Sequence, residues 1–286
     1  MSLNSILKIM GQIIDLPDFM TNNIELKNIS KLKKIYLFLK GLLIGYLHKN
    51  TNKKFFCTIM NLFFKSSGKI IYIDGFYQKV IDDGSKIHFP NKRIDRFIVD
   101  YKKHLNYLYE SYCLEKITFE KDDLIIDCGA NVGELYLSFQ LRELDIKYIG
   151  FEPDSKAFEC LEKNIDSDKN KLFNLALSNE SKETKLFLDT YGANTSLVDF
   201  GTSEFELIST KTLDSFEIKN IKLLKIDAEG FELEVLQGAK KTLNNVKYIS
   251  VDYGPERGLD EIKTMTTVIP FLLEKNFEFV HTFSDR

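Results

Sequence analysis

From about residue 122 onward, the sequence alternates short apolar runs with amphipathic runs, and this alternation constrains the fold more than any other feature. Read as strands, the apolar runs are residues 124–127, 148–152, 172–176, 222–227 and 248–253. Read as helices, the runs between them are residues 134–144, 156–166 and 232–243. This order predicts an α/β fold in which crossover helices connect a parallel sheet. Ligands of such sheets collect at the carboxyl ends of the strands.

The first predicted strand ends in an acid and continues into a glycine-bearing turn that opens a helix. Asp127 is the acid, and Gly129 and Gly133 are the glycines. Gly129 lets the backbone pass close to a ligand, which predicts a nucleotide-like cofactor over this turn. Asn131 occupies the middle-glycine position of the dinucleotide fingerprint, so a pyrophosphate is disfavoured. The plain alternative is a tight turn beside a helix-capping aspartate.

Carboxylates at the ends of neighbouring strands suit a cofactor that has positive charges and no phosphate, as S-adenosylmethionine does. Asp127 suits its sulfonium and ammonium groups. Glu152 ends the second predicted strand and can accept two hydrogen bonds from ribose hydroxyls. Asn174 and its neighbours on the third strand are expected near the adenine. For Glu152 taken alone, a solvated charge at a strand end is the alternative.

The fourth predicted strand carries the candidate catalytic residues, Asp227 and Glu229. Both lie where the methyl group of the cofactor would meet an acceptor, so that one can take the acceptor's proton while the other orients it. With Asp252 they can alternatively bind Mg²⁺, because hard oxygen ligands suit that ion. Nothing further in the sequence favours the ion, and no metal is predicted.

The residues after the fifth predicted strand are candidates for binding the acceptor. Asp252 can hydrogen-bond sugar hydroxyls, and Arg257 can clamp an anionic acceptor such as an acidic or phosphorylated sugar. The alternative for Arg257 is an ion pair with Glu256 or an aspartate that stiffens a Gly-Pro turn.

Several ordered motifs within residues 105–285 resemble those of the FkbM family of S-adenosylmethionine-dependent methyltransferases. The motifs are Asp127-Cys128-Gly129-Ala130-Asn131-Val132-Gly133, Phe151-Glu152-Pro153, residues 174–178, Asn194-Thr195-Ser196-Leu197, Thr212-Leu213-Asp214, and Lys225-Ile226-Asp227-Ala228-Glu229-Gly230 with Glu232, Val235, Leu236 and Gly238. The resemblance implies a class I, Rossmann-like methyltransferase sheet. It also implies O-methylation, commonly of a sugar hydroxyl on a surface polysaccharide or a glycosylated metabolite.

The resemblance also assigns site residues position by position. Asp227 and Glu229 map to the catalytic end of the fourth strand, and the loop of Asn194, Thr195 and Ser196 maps near the cofactor and acceptor. The candidate cofactor-binding residues are Glu110, Asp127, Gly129, Ala130, Asn131, Gly133, Glu134, Glu152, Pro153, Asn174, Ala176 and Asp227. One departure concerns residues 277–286, which fit only a sixth strand and leave no obvious residues for the usual antiparallel final strand.

The first 118 residues predict a helical and β-hairpin extension, of which the lysine-rich first 100 residues lie outside the family core. Residues 1–68 are expected to form a lysine-rich helical part. Residues 69–118 are expected to form a hairpin around Asp74-Gly75, a third strand over 86–89 and a connecting helix. Residues 119–286 then form the methyltransferase domain. The extension is a candidate for holding the acceptor or a second subunit.

The charge distribution separates the two parts of the chain. The net charge of −3 lacks the basic field of a nucleic-acid binder. The first 70 residues nevertheless hold eleven lysines against three acidic residues, which leaves peripheral membrane contact, a homo-oligomer surface or a solvated helix face as alternatives. The four cysteines form no CxxC pair, and no apolar run reaches membrane-spanning length, so a cytoplasmic protein is expected, with peripheral contact at the inner membrane face left open.

Three alternatives to a sugar O-methyltransferase remain from the sequence alone. A nicotinamide-dependent oxidoreductase shares the strand and helix order, although Asn131 disfavours it. A catalytically silent binding subunit would keep the fold but lose the acidic pair of Asp227 and Glu229. A methyltransferase that acts on a nitrogen or a non-sugar acceptor keeps all of these features.

Overall fold

A computed structural model describes residues 30–64, 68–166, 169–188, 195–199, 201–254, 257–259 and 263–283. The described chain forms two compact units. The first lies within Met1–Ser85 and Ile94–Asp100, and the second within Lys86–Arg93 and Tyr101–Arg286. The hairpin therefore shares a unit with the helices that precede it, and the three-part division at residues 68 and 118 stays a prediction.

The first unit contains two helices and a hairpin. They are α1 (Lys31–Asn50), α2 (Lys53–Phe63), β1 (Lys69–Ile73) and β2 (Phe76–Val80). β1 and β2 pair antiparallel, and Asp74 and Gly75 both take the positive φ angles that a two-residue hairpin turn requires, so the predicted hairpin is confirmed. The amphipathic helix α2 buries Phe56 and Met60.

Helix α1 lies within the helical part expected over residues 1–68 and exposes several large apolar side chains. Among the described residues, no helix combines the length and the apolar character needed to cross a membrane. The first 29 residues of the expected helical part and the side chains of Lys31, Lys33 and Lys34 lie outside the described part of the chain. Membrane contact and a homo-oligomer surface therefore stay predictions.

The second unit is built around a five-stranded sheet. Its elements are β3 (Lys86–Phe89), α3 (Tyr101–Ser111), β4 (Leu124–Cys128), α4 (Glu134–Gln140), β5 (Lys147–Phe151), α5 (Ser155–Asn164), β6 (Lys171–Phe173), β7 (Ala176–Leu177), β8 (Glu183–Phe187), β9 (Phe205–Lys211), β10 (Ile221–Ile226), α6 (Glu232–Gln237), β11 (Val246–Val251) and α7 (Met265–Glu274). The sheet order is β11-β10-β4-β5-β6, and all of its pairs are parallel. The predicted third strand of the extension is confirmed as β3.

Alternate residues of the central strands enter two separate cores, one on each face of the sheet. Ile125 and Leu223 pack with residues of α3, α4 and α5. Ile126 and Leu224 pack with residues of α6 and α7. A parallel sheet covered by helices on both faces is the α/β, Rossmann-like arrangement that the sequence predicts. The fold class is therefore confirmed.

The predicted third strand, residues 172–176, is divided between two sheets. β6 ends at Phe173 on the edge of the main sheet, and β7 begins at Ala176 in a second sheet of order β7-β9-β8. The break occurs at Asn174, where the Leu175 N–H donates to the Phe173 carbonyl. The second sheet was not predicted.

Two helices end earlier than expected, and the last predicted strand is wrong. α4 ends at Gln140, and α6 ends at Gln237 just before Gly238. Residues 277–283 form no strand. The unpredicted helix α7 precedes them; Pro270 lies inside it and weakens the helical signal there.

Candidate cofactor and active site

The turn after β4 joins three neighbouring strands at their carboxyl ends. The N–H groups of Gly129 and Ala130 both donate to the Phe151 carbonyl at 3.0 Å. Gly129 has φ +77°, and a Cβ at this position would lie 1.9 Å from the Asp227 carbonyl oxygen. Only glycine permits this contact, so the turn after β4 and the residues after β10 are packed backbone against backbone.

Glu152 is fixed beside this turn by backbone donors. The N–H of Asn131, which takes φ +48°, donates to Glu152 Oε2 at 2.7 Å. The N–H of Asp154 donates to Oε1 at 2.9 Å. Each carboxylate oxygen retains a second lone pair, which can accept a ribose hydroxyl. Burial raises the pKa of Glu152 from 4.5 to about 7.

We expect the Glu152→Gln variant to have a flatter pH dependence of stability than the unaltered protein. Because the folded-state pKa of Glu152 is raised, the folded chain binds the extra proton, and the stability this contributes is lost as pH rises from 4.5 to about 7. The loss from this group reaches about 3 kcal/mol. Denaturant unfolding at a series of pH values measures it.

The same variant is expected to bind S-adenosylhomocysteine about 10-fold to 100-fold more weakly, because an amide cannot accept from two hydroxyls as a carboxylate does. Glu162→Gln, at an exposed position on α5, is the matched control and should change neither measurement. An unaltered pH profile together with unaltered affinity in Glu152→Gln would contradict both roles.

Asp127 lies in a buried network rather than on the ligand-facing side of the turn. Its side chain is completely buried, and Tyr148 donates a hydroxyl to its Oδ2 at 2.5 Å. Lys225, which pairs with Asp127 across β4 and β10, places Nζ 2.9 Å from Asp127 Oδ1. The same Nζ donates to the Gly129 carbonyl at 2.7 Å.

The charges of this network compensate one another inside the protein. Burial alone would lower the pKa of Lys225, but the carboxylate of Asp127, the nearby Tyr112 and the carboxylate of Asp227 raise it well above its ordinary value. Burial raises the pKa of Asp127, and the positive charge of Lys225 opposes that rise. We therefore take the pair as an internal ion pair that ties the glycine turn to β10.

Asp227 and Glu229 follow β10 on a short loop. Tyr112 donates its hydroxyl to Asp227 Oδ2 at 2.5 Å, and Lys225 Nζ lies 3.9 Å from the same oxygen. The Asp227 carboxylate is thus fixed by a hydroxyl donor and lies near a positive charge. Glu229 takes a positive φ of 48°, followed by Gly230 at 93°.

Among the residues that the structure describes, no cluster of three or more His, Cys, Asp or Glu side chains could hold a metal ion.

Two side chains fix the conformation of this loop. Ser196 donates its hydroxyl to the Glu229 carbonyl at 2.7 Å. The buried Glu232 accepts from the N–H groups of Ala228 at 3.2 Å and Gly230 at 2.9 Å. The loop is therefore held by Ser196 on the side of the second sheet and by Glu232 at the start of α6.

The glycine turn, Glu152 and the acidic loop of Asp227 and Glu229 line one cavity. It measures about 860 Å³ when the open solvent at its mouth is included. Its described polar and charged lining residues include Asn91, Arg93, Asn131, Glu152, Asp154, Thr195, Ser196, Asp227 and Glu229. Apolar residues such as Phe151, Leu175, Ala176 and Leu177 form part of its wall. Acidic groups beside apolar surface fit a cationic nucleoside such as S-adenosylmethionine.

The structure therefore brings nine of the predicted site residues together in the lining of this cavity: Gly129, Asn131, Glu152, Pro153, Ala176, Thr195, Ser196, Asp227 and Glu229. Asn194 lies outside the described residues. Eight other predicted residues do not line this cavity: Glu110, Asp127, Ala130, Gly133, Glu134, Asn174, Asp252 and Arg257.

Local structure explains why several of the predicted cofactor residues do not line this cavity. Glu110 is exposed on α3. Glu134 is buried against His104, with 3.1 Å between Oε1 and Nε2. Asn174 donates its side-chain amide to the carbonyls of Glu152 and Pro153. These three side chains therefore lie outside the cavity lining.

Gly133 in the turn and Arg257 among the predicted acceptor residues also do not line the cavity. A Cβ on Gly133 would meet the side chains of Leu161 and Ile165, so this glycine serves helix packing. Arg257 forms a two-point ion pair with Glu234, at 2.6 and 2.9 Å, and also donates to the Gly230 carbonyl. The ion-pair alternative is therefore the one observed for Arg257, although its partner is Glu234 rather than Glu256 or an aspartate.

Sequence reasoning assigned no role to Lys225, Tyr112 or Arg93. A lysine within the apolar run of β10 is a signal of a buried charge, and Asp127 on the paired strand is its compensating partner. Tyr112 and Arg93 carry no comparable local signal, because the chain brings them to the site from distant segments.

A parallel sheet with helices on both faces, a glycine turn after one strand and an acid after the next define a Rossmann-like protein that binds a nucleoside-type cofactor. Residues 127–279 match the family described as the Methyltransferase FkbM domain, and the chain belongs to that family. Membership implies S-adenosylmethionine as the cofactor. The family match runs against the nicotinamide alternative.

Two curated relatives are similar to parts of the chain. Hexuronic acid methyltransferase AglP of Haloferax volcanii is 28% identical over 138 residues, which cover 46% of this chain and 56% of AglP. The 2-O-methyltransferase NoeI of Sinorhizobium fredii is 24% identical over 184 residues, which cover 57% of this chain and 75% of NoeI. The chain thus spans little more than half the length of AglP.

A solved structure of an FkbM methyltransferase from Methylobacillus flagellatus KT is also similar. It aligns at a TM-score of 0.42 with 15% sequence identity, covering 61% of this chain and 48% of that one.

Proposed function

We propose that the protein is an S-adenosylmethionine-dependent O-methyltransferase that methylates a sugar hydroxyl of a surface polysaccharide or a glycosylated metabolite. Family membership supports methyl transfer. The names of the two relatives support the finer statement, since one acts on a hexuronic acid and the other transfers to a 2-oxygen. A glycan is accordingly the partner we propose.

The observation that carries this proposal is the shared cavity. Its wall holds the Gly129 turn and Glu152, which suit the cofactor, together with Asp227 and Glu229, which suit the acceptor. Bound there, S-adenosylmethionine supplies a methyl group activated by a sulfonium. Placing both reactants in one cavity can account for about 7–11 kcal/mol of barrier reduction.

In this proposal the protein's own residues bind the cofactor by complementary hydrogen bonding. The second lone pairs of Glu152 accept the ribose hydroxyls, and the Gly129 backbone permits close approach of the ligand. The apolar wall of Phe151, Leu175 and Leu177 excludes water from the reacting groups.

The acidic loop then manages the proton of the acceptor. A sugar hydroxyl has a high pKa, so its proton leaves late in the reaction, and a nearby carboxylate is a sufficient base. Asp227 accepts from Tyr112 and lies near the Lys225 cation, and these contacts hold its carboxylate in a fixed position. We assign proton acceptance to Glu229 and orientation of the acceptor to Asp227.

We expect Glu229→Gln to lower the rate of methyl transfer by about 100-fold or more, with cofactor affinity close to that of the unaltered protein. The amide keeps the size of the side chain but cannot take the proton. Cells lacking the protein are complemented with each variant, and mass spectrometry measures the methylation of their surface glycans. Calorimetry with S-adenosylhomocysteine measures cofactor affinity.

Glu183→Gln, on β8 and outside the cavity lining, is the control and should restore methylation fully. Full methylation by Glu229→Gln would remove Glu229 as the base. Surface glycans that show no methyl difference with and without the unaltered protein would contradict the proposed acceptor class.

A further inference from the structure

Arg93 is the one basic residue among the described residues that line the cavity. The same lining carries four acidic residues: Glu152, Asp154, Asp227 and Glu229. These carboxylates suit the sulfonium and ammonium of the cofactor, but they repel any carboxylate that enters with it. A guanidinium on the wall supplies the opposite charge and two parallel donors, the arrangement that matches a carboxylate best.

The segment that carries Arg93 is held in place by specific hydrogen bonds. Asn164, at the end of α5, accepts from the His88 N–H at 2.8 Å and donates to the His88 carbonyl at 3.0 Å. The same side-chain amide donates to the Val132 carbonyl at 2.8 Å, within the turn after β4. Further along, the Arg93 N–H donates to Asn91 Oδ1 at 3.0 Å. One asparagine thus links the segment of Arg93 to the cofactor turn.

Arg257, the arginine that the sequence suggests for an anionic ligand, is engaged elsewhere. Its guanidinium is paired at two points with Glu234 and donates to the Gly230 carbonyl, and Arg257 is not part of the cavity lining. Arg93, in contrast, belongs to the cavity lining, where an anionic group of a ligand would be bound.

We propose that Arg93 binds a carboxylate within the cavity. Two sources share this chemistry: the amino-acid carboxylate of S-adenosylmethionine and the carboxylate of an acidic sugar acceptor. The inference rests on the proposed function. It adds to that function the residue that binds the carboxylate of either the cofactor or the acceptor.

Calorimetry on the full chain with two adenosyl ligands tests the first source. S-adenosylhomocysteine carries the amino-acid carboxylate, and 5′-methylthioadenosine lacks it. If Arg93 binds the cofactor carboxylate, Arg93→Gln weakens S-adenosylhomocysteine about tenfold or more and leaves methylthioadenosine unchanged. Because both ligands share the adenosyl group, their affinity ratio is insensitive to partial loss of folded protein.

The second source is tested on protein saturated with S-adenosylhomocysteine, by comparing the binding of glucuronate and glucose. If Arg93 binds the acceptor, the unaltered protein binds glucuronate more tightly than glucose. Arg93→Gln then lowers the ratio of the two affinities about tenfold. Arg93→Lys, which keeps the charge, should retain part of either effect. Lys92→Gln, at the neighbouring position outside the cavity lining, should change neither ratio.

If Arg93→Gln alters neither the ratio of the adenosyl ligands nor that of the sugars, the inference is wrong. This outcome leaves cofactor binding intact and is therefore distinct from failure of the proposed function. If the unaltered protein binds neither adenosyl ligand, the proposed function fails and this inference fails with it.

Discussion

Replacement of Lys225 by Met is expected to lower the free energy of unfolding by about 3–5 kcal/mol, the usual cost of leaving one member of a buried ion pair without its partner. Lys225 and Asp127 are both almost fully buried, and Nζ also donates to the Gly129 carbonyl. The variant should therefore also bind S-adenosylhomocysteine more weakly. Denaturant unfolding and calorimetry measure the two effects.

The loss in free energy of unfolding caused by Lys225→Met should become larger as pH rises. Without the lysine, burial raises the pKa of Asp127 further, so the folded chain holds a proton there that the unfolded chain releases. Stability contributed by that proton is present at low pH and is lost as pH rises. Removing both charges, in Lys225→Met with Asp127→Asn, should recover part of the loss.

Lys163→Met is the control for the loss of a lysine from an ion pair. Lys163 pairs with Glu159 on the exposed face of α5, where such a pair contributes less than about 1 kcal/mol. Equal costs for the two lysine variants would show that the Asp127 and Lys225 pair does not carry buried charge.

Gly129→Ala is expected to abolish measurable cofactor binding and to lower the free energy of unfolding by about 2–5 kcal/mol. The added Cβ would lie 1.9 Å from the Asp227 carbonyl oxygen, and the residue would also have to keep φ +77°. Relief requires that the turn move away from the residues after β10, which separates Glu152 from the acidic loop. Calorimetry and thermal unfolding measure the result.

Gly75→Ala separates the two causes. Gly75 has φ +88° in the hairpin turn, but a Cβ there would meet nothing within 4 Å. This variant therefore reports backbone strain alone, about 1–2 kcal/mol, with no effect on cofactor affinity. Cofactor affinity that persists in Gly129→Ala would mean that the close contact with Asp227 is not part of the site.

The sheet was predictable because its strands are short, apolar and regularly separated by amphipathic helices. β4, β10 and β11 all fall within two residues of their expected ends. The second sheet was not predictable in this way. Only Asn174 and Leu175 separate its strand β7 from β6, and the partner β9 lies about thirty residues further along the chain.

The orientation of Asp127 shows why part of the site could not be read from strand ends alone. Side chains alternate along a strand, and Asp127 shares its face with Ile125, which packs against α3 and α4. Applying that alternation to β10 places Lys225 on the same face as Leu223 and beside Asp127. Gly129 and Asp227 follow the ends of their strands, so this alternation does not apply to them, and both line the cavity.

Residues contributed by distant segments set the limit of sequence reasoning here. Tyr112 reaches Asp227 across 115 positions of the chain, and no local pattern signals such a contact. The ion pair of Arg257 with Glu234 was foreseen as a type of interaction but not by its partner. Choosing among several nearby acids requires the path of the loop, which composition and spacing do not supply.

The hydrogen bonds of Asn164 bear on how far this protein can be shortened. A truncated polypeptide beginning at residue 119 would keep the family-matched segment but would lose His88, which Asn164 holds, and the wall formed by Pro90, Asn91 and Arg93. The smallest autonomous fragment with a complete cavity must therefore start upstream of β3. The boundary of sequence homology and the boundary of the working unit do not coincide in this polypeptide.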